Sequence, residues 1–334
     1  MMMEIKDKGR LMASESAEAR DVFCRAAKQK VDASSLKDAT AIYTIARGSS
    51  DAAANILSYE FMREFGVPVT SLPPSVFSLG AGVKMDDAAV MVISQSGASD
   101  DLVRSAKGAG KRGASVLAIT NQPDSPVEAA ATMTVPIGAG PELAVPATKT
   151  VIGSVAAGMA VLSALVPDYA TRAAKAVEVL ESLETRHPRS EALRAALLRA
   201  QNVYVIGRDT GFGAAHEVSL KLKECCALHA EAYSSSEVLH GPLQLATNPL
   251  MVLILDTGAE NTQDSLDQAE ARFKGVGCDV HRISPADVGA ADLTPAAAAA
   301  LLLNFMYSVI LETALALGLD PDRPSTLSKV TQTT

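Results

Sequence analysis

A chain of 334 residues that is 48% hydrophobic has material for two ordinary domains or one large one, each with a filled core. Its net charge of −8 excludes a general nucleic-acid or membrane-surface role, because phosphate backbones and anionic lipids do not attract an acidic protein that lacks a basic patch. The four cysteines, Cys24, Cys225, Cys226 and Cys278, form no CxxC pair and no zinc-type spacing, which points to reduced, buried thiols.

Residues 1–40 are polar and amphipathic without an apolar leader, and read as an N-terminal helical segment of a cytoplasmic protein. Short β-branched runs then alternate with helical stretches, the pattern of a parallel sheet covered by helices on both faces. The first round predicts strands at Ala41–Ala46, Val67–Ser71, Ala88–Ser94 and Ser115–Thr120, with helices over Asp51–Phe65 and Asp100–Arg112. Charged, Ala/Leu-rich residues 168–200 read as a helical connector. The second round predicts strands at Asn202–Ile206, Leu250–Leu255 and Asp279–Ile283, with helices over Gly213–Ala230 and Thr262–Lys274. In both rounds a strand leads into a Gly-containing polar turn and then a helix. Gly48 and Gly207, in those turns, are 159 residues apart, a period that fits duplication of a whole domain. The expectation is an α/β protein of two tandem domains, 41–167 and 201–318, each a five-stranded parallel sheet in a flavodoxin-like α/β/α arrangement. A long apolar helix near the end of the second, broken by Asn304, Tyr307 and Glu312, reads as buried or dimer-packing rather than membrane-spanning, and 319–334 form a Pro-containing tail.

Four constellations could carry chemistry. The turn Arg47-Gly48-Ser49-Ser50 joins a strand to a helix, where backbone N–H groups and hydroxyls favour an anion such as a phosphate; the same serines equally suit a plain helix cap. Ser94-Gln95-Ser96-Gly97, followed by Ser99, repeats this arrangement at another strand end, and two such turns in one domain favour the phosphate. Glu217, Lys221 and Glu224 are spaced i, i+4 and i+7 and so share one helix face. Charge runs are usually solvated, but the interleaved Val218, Leu220, Leu222, Cys225 and Cys226 leave little room for a wet face, so part of this charge belongs in a polar pocket. His240, before the turn dipeptide Gly241-Pro242, is placed to act as an acid or base, whereas His216 has no assigned role and His229 reads as structural.

Four segments together resemble the isomerase domain of glutamine–fructose-6-phosphate aminotransferase (glucosamine-6-phosphate synthase) and the glucosamine-6-phosphate deaminases of the SIS, or sugar isomerase, type: SQSG at Ser94–Gly97, EVSLKLKE at Glu217–Glu224, HAEAYSSSEVLHGP at His229–Pro242, and DRPSTLSKVT at Asp322–Thr331. The resemblance implies tandem SIS domains. By position it makes Ser49, Ser50, Ser94, Gln95, Ser96 and Ser99 sugar-phosphate contacts, with Val145 and Glu217 also near the substrate. It makes Glu224 the base between C1 and C2, His240 the ring-opening group, Lys221 a polar neighbour of C1 to C3, and Lys329 the tail lysine able to form a Schiff base. It implies a homodimer in which His240 can come from the partner subunit, and a chemistry that needs no metal or redox cofactor. In Pro141–Thr150 (PELAVPATKT), Ala147 stands where that family commonly has serine, and Ser99 replaces a threonine. Because no glutaminase segment with a terminal cysteine precedes the match, water rather than glutamine is the expected partner of the reaction, which points to glucosamine 6-phosphate deamination. The alternatives are a related isomerase or deaminase acting on galactosamine 6-phosphate or a fructosamine 6-phosphate, and a non-catalytic sugar-phosphate sensor, which would need the serine turns but not Glu224, His240 and Lys329 together.

Overall fold

The computed structural model describes residues 7–184 and 189–329. Helix α1 (Arg10–Ala27) precedes a first round of elements: β1 (Ala41–Ile45), α2 (Ser49–Phe65), β2 (Val69–Ser71), α3 (Ser75–Ser78), β3 (Ala88–Ser94), α4 (Asp100–Lys111), β4 (Ser115–Thr120), β5 (Met133–Pro136) and α5 (Lys149–Leu165). Helices α6 (Pro167–Ser182) and α7 (Ser190–Arg199) fill the connector. The second round is β6 (Asn202–Gly207), α8 (Thr210–Cys226), β7 (His229–Ser234), β8 (Met251–Leu255), α9 (Gln263–Gly275), β9 (Asp279–Ile283) and α10 (Pro295–Ala316). All pairings are parallel, in the orders β2-β1-β3-β4-β5 and β7-β6-β8-β9. Both orders place their first strand inside the sheet, the arrangement whose crevice beyond the strand ends takes ligands in open α/β folds.

The tandem α/β architecture agrees with the expectation from sequence, with two differences. The second sheet has four strands among the described residues, not five: after β9 the chain enters a 3-10 turn at Pro285–Val288 and then α10. Edge strand β9 carries Arg282, which pairs with Asp256, Asp267 and Glu270, a charged border that discourages further pairing. The helix expected to run to Ala230 stops at Cys226, where Ala227 adopts φ 51° and the chain turns into β7. His229-Ala230-Glu231-Ala232 has helix-forming composition, and its strand state comes from pairing with β6, a tertiary override of local propensity.

Alternate residues of the inner strands feed different cores, as a period of two requires. In β3, Ala89, Met91 and Ile93 face a central core, while Val90 and Val92 face α3 and α4 with Phe77, Leu102 and Ala106. On the second sheet, Val203, Val205 and Leu253 join the same central core, and Tyr204, Ile206 and Ile254 pack on Leu266 and Phe273 of α9. One apolar layer of α1, α2, α5, α8 and α10 is therefore shared by both sheets. Helix α10 is long and apolar enough to cross a membrane, but 72% of its most apolar window is buried inside the protein. The four cysteines are free thiols, and Cys24, Cys225 and Cys226 are buried.

In this shared layer α2 and α8 run antiparallel, since Ser49 at the start of α2 meets Lys221 near the end of α8, and Arg63 near the end of α2 meets Asp209 before α8. Glu60 of α2 is wholly buried, accepts the Tyr169 hydroxyl at 3.0 Å and pairs with Arg63. Burial pushes its carboxyl up from 4.5 to about 7, with Arg63 and Tyr169 opposing. A raised acid favours the folded state while it is protonated, so this contribution is complete below about pH 4.5 and is lost as pH rises through about 7. Glu60→Gln is expected to remove on the order of 3 kcal/mol of the stability lost between those limits. Urea midpoints at about pH 5 and about pH 8 check this, and unchanged pH dependence in the variant would refute the assignment.

Candidate active site

The turn from β1 to α2 begins with Gly48 at φ 55°, ψ −128°, a conformation that side chains resist. Its counterpart before α8 is Asp209 at φ 56°, ψ −133°, held by its own contact to the Thr210 N–H and by Arg63. The duplication thus aligns Gly48 with Asp209, not with Gly207, which ends β6. Gly48 holds the cap position of α2, so the reading of Ser49 or Ser50 as its cap fails, and Ser99 holds the cap position of α4 with no side-chain cap bond among the described residues.

The shared face predicted for Glu217, Lys221 and Glu224 exists, and it is turned into the protein. Lys221 is fully buried, with Nζ 2.6 Å from Glu224 Oε2, 3.3 Å from Glu217 Oε1 and donating to Ser49 Oγ at 2.8 Å. Tyr307 of α10 donates to Glu217 Oε1 at 3.0 Å, while Glu217 Oε2 is buried with no hydrogen-bond partner among the described residues. Burial lifts Glu217 above the ordinary carboxylate range, with Lys221 opposing. For Lys221 burial acts downward, but the two glutamates outweigh it and leave the ammonium harder to deprotonate than usual. Of the three, only Glu224 keeps solvent access, with 24% of its side chain exposed, so it is the carboxylate that can meet a substrate.

The second serine turn lies at the carboxyl end of β3. Ser94 Oγ accepts the Gly97 N–H at 3.1 Å, and Ser96 Oγ accepts that of Ala98 at 3.3 Å. Gly97 has φ 61°, and a Cβ there would lie 2.2 Å from Ser125 Oγ, so this sharp turn needs glycine. Gln95 and Ser99 are partly exposed beside it. The equivalent corner of the second sheet is closed: Asp256, at the position of Ser94, accepts from Gly258 N, Gln263 and Arg282. A carboxylate already fills that corner and repels a second anion, which leaves the first domain as the phosphate-compatible half.

A third group comes from the loop before α5 and the tail. Glu142, whose side chain is 0% exposed, accepts the N–H groups of Thr148 and Thr150 through Oε1, while Oε2 takes the Thr150 hydroxyl and stands 3.3 Å from Lys329 Nζ. Val145 N–H donates to Asp322 O, whose carboxylate accepts the first N–H groups of α1 at Leu11 and Met12, both at 2.8 Å. The tail is therefore fastened to a helix start, which favours an anion there, and to the loop that carries Glu142. Ala147 packs on the central core, where a serine hydroxyl would need a partner. Val330 and Thr331 lie outside the described residues.

His240 ends the 3-10 turn Glu237–Leu239, exposed, and no hydrogen bond or ion pair among the described residues links its ring to the Lys221 cluster. His216 packs edge-on against Phe212, and His229 bonds Asn202 at 3.2 Å. Glu142, Tyr307 and Arg47 have no role in the reading from sequence, although all three lie inside segments that it singles out. Arg47 Nη2 is 2.5 Å from Asp101 Oδ2 in the first turn of α4.

Comparison with known proteins places these residues in context. A family model for the SIS domain matches residues 35–164 and 196–304. The glutamine–fructose-6-phosphate aminotransferase (isomerizing) of Halobacterium salinarum is 30% identical over 290 residues, which cover 79% of this chain and 47% of that protein. That of Sulfurisphaera tokodaii is 27% identical over 303 residues, 88% of this chain and 50% of that one. The chain spans about half the length of the curated relatives it matches. Among solved structures, a proposed phosphosugar isomerase from Silicibacter pomeroyi DSS-3 superposes with a TM-score of 0.77 at 30% identity, covering 96% of this chain and 98% of that one. The glucosamine-6-phosphate deaminase of Thermotoga maritima shares the fold, with a TM-score of 0.73 at 17% identity over 97% of this chain and 100% of that one.

Proposed function

Because the chain belongs to the SIS domain family, we propose that it is a cytoplasmic amino-sugar-phosphate deaminase and isomerase, converting glucosamine 6-phosphate and water to fructose 6-phosphate and ammonia. The observation that carries this reading is the Lys221 junction, where a buried ammonium ties Ser49 of the first serine turn to the solvent-reachable Glu224. A phosphate held at Ser49, Ser50 and Ser94–Ser99 sets a hexose against a carboxylate poised for proton transfer, and a sensor has no use for that second half.

In this reading His240 moves a proton from the anomeric hydroxyl to the ring oxygen and opens the pyranose. Glu224 takes the C2 proton while the aldehyde oxygen takes one from water, giving an enolamine; Glu224 then returns its proton to C1 and the amine nitrogen gives one up to water. The product is a C2 imine; water adds to it, and the C2–N bond breaks to leave the ketone and ammonia. Lys221, 2.6 Å away, holds the Glu224 carboxyl in position and is its counter-charge before the first transfer and after the second. Lys329 approaches from the tail, held 3.3 Å from Glu142, and Val145 borders the sugar.

Release of ammonia together with fructose 6-phosphate from glucosamine 6-phosphate by the purified chain tests the reading. Binding without either product would sink it in favour of a sensor. A panel with galactosamine 6-phosphate and fructosamine 6-phosphates reads the substrate preference.

The exposure of His240 fits a homodimer in which the partner subunit's His240 completes each site. Mixing Glu224→Gln with His240→Ala chains then gives heterodimers with one intact site, so two nearly inactive variants should together recover about a quarter of wild-type turnover. No recovery after verified subunit exchange would place His240 in its own subunit's site or outside catalysis.

A further inference from the structure

We propose that Arg47 is a phosphate-contacting residue that makes this site select an anionic, phosphorylated sugar, an inference that rests on the function proposed above. The serines supply hydroxyls and backbone N–H groups; the Lys221 ammonium on Ser49 is buried and occupied by two glutamates, whereas Arg47 is a solvent-exposed cation in the same turn. Its carbonyl accepts the N–H groups of Ser50 and Asp51, so its backbone is fixed by the same turn that presents Ser49 and Ser50. Its guanidinium reaches the first turn of α4, two residues beyond Ser99, where Nη2 meets Asp101 Oδ2 at 2.5 Å. The group therefore spans the two serine-rich strand ends that would share the phosphate.

Asp101 is 1% exposed, and beyond this ion pair neither of its carboxylate oxygens has a hydrogen-bond partner among the described residues. Left alone, a buried anion at this point would repel a phosphate dianion and oppose the α4 amides. Arg47 cancels it. Asp101 engages one side of a planar fork with five donors, and 43% of the arginine side chain remains exposed, so other donors are free to take a phosphate oxygen. Asp101 then acts as a positioning residue that holds the fork in place.

Calorimetric titration with fructose 6-phosphate, and with fructose as the uncharged control, separates this role from a purely structural ion pair. The proteins are wild type, Arg47→Ala, Arg47→Lys, Asp101→Asn and the double variant Arg47→Ala/Asp101→Asn, each checked for native thermal unfolding. Arg47→Ala is expected to weaken fructose 6-phosphate binding roughly tenfold or more, and Arg47→Lys to recover part of it as a point charge. In turnover the loss appears in KM with kcat little changed, because the phosphate stays bound alike in ground and transition states. The double variant holds no unpaired charge and keeps the proposal testable if Arg47→Ala folds poorly. It should bind roughly tenfold more weakly than Asp101→Asn alone. Equal binding by those two would overturn the assignment, since Arg47 would then only neutralise Asp101. Failure of the wild type to bind fructose 6-phosphate at all would instead overturn the proposed function.

Discussion

Glu224→Gln is expected to lower ammonia release from glucosamine 6-phosphate by roughly 10²–10⁴-fold, the range typical of a positioned general base, while leaving fructose 6-phosphate binding within a factor of a few. The amide keeps the shape and can still accept from Lys221, which stands 2.6 Å from the carboxylate, so the variant should fold. What it loses is the ability to hold the proton between C2 and C1. Solvent exchange at C2 gives a second readout: wild type should incorporate deuterium into recovered substrate or product, and the variant should not. Turnover within tenfold of wild type would remove Glu224 from the proton path and turn attention to Glu217, whose free Oε2 is buried in the same cluster.

Lys221→Met should have the largest effect on stability. Methionine matches the length and apolar stem of lysine but removes the ammonium that serves Ser49, Glu217 and Glu224 at once. Breaking one partner of a buried ion pair strands the other, and typical losses are about 3–5 kcal/mol. Here Glu217 is wholly buried and already lifted above the normal carboxylate range by burial, so it meets the loss by taking up a proton. The destabilisation is therefore expected to be greater at about pH 8 than at about pH 5, where protonation is easier. Urea unfolding at the two pH values, beside the double variant Lys221→Met/Glu217→Gln, measures it. The double variant should regain much of the stability at the higher pH, whereas equal losses in both proteins would show that Glu217 is not the stranded charge. Activity should fall in both, because Glu224 loses its counter-charge.

Much of this molecule is legible along the chain because the signals are local. β3 and β4 lie at the bounds read from sequence, since a strand inside a parallel sheet is apolar on both faces and is cut off by polar turns. The i, i+4, i+7 spacing of Glu217, Lys221 and Glu224 needs only the pitch of one helix. The duplication shows because each strand-turn-helix unit repeats its own turn chemistry. β7 escaped notice because its alanines and glutamate favour a helix until β6 offers a ladder.

What the sequence determined alone was therefore the two-domain α/β plan, the serine turns and the charged helix face, all properties of neighbours within a few residues. Tertiary structure decided the rest. Whether Ser49 caps its helix or receives Lys221 depends on the antiparallel packing of α2 on α8 across 172 residues. That Lys329 meets Glu142 depends on a tail fastened to α1 through Asp322. That Asp256 closes one strand-end corner while Ser94 leaves the other open depends on Arg282 arriving from the neighbouring strand. In each case the partners of a buried polar group come from distant segments, and burial, which makes those partners obligatory, exists only once the two sheets share their core.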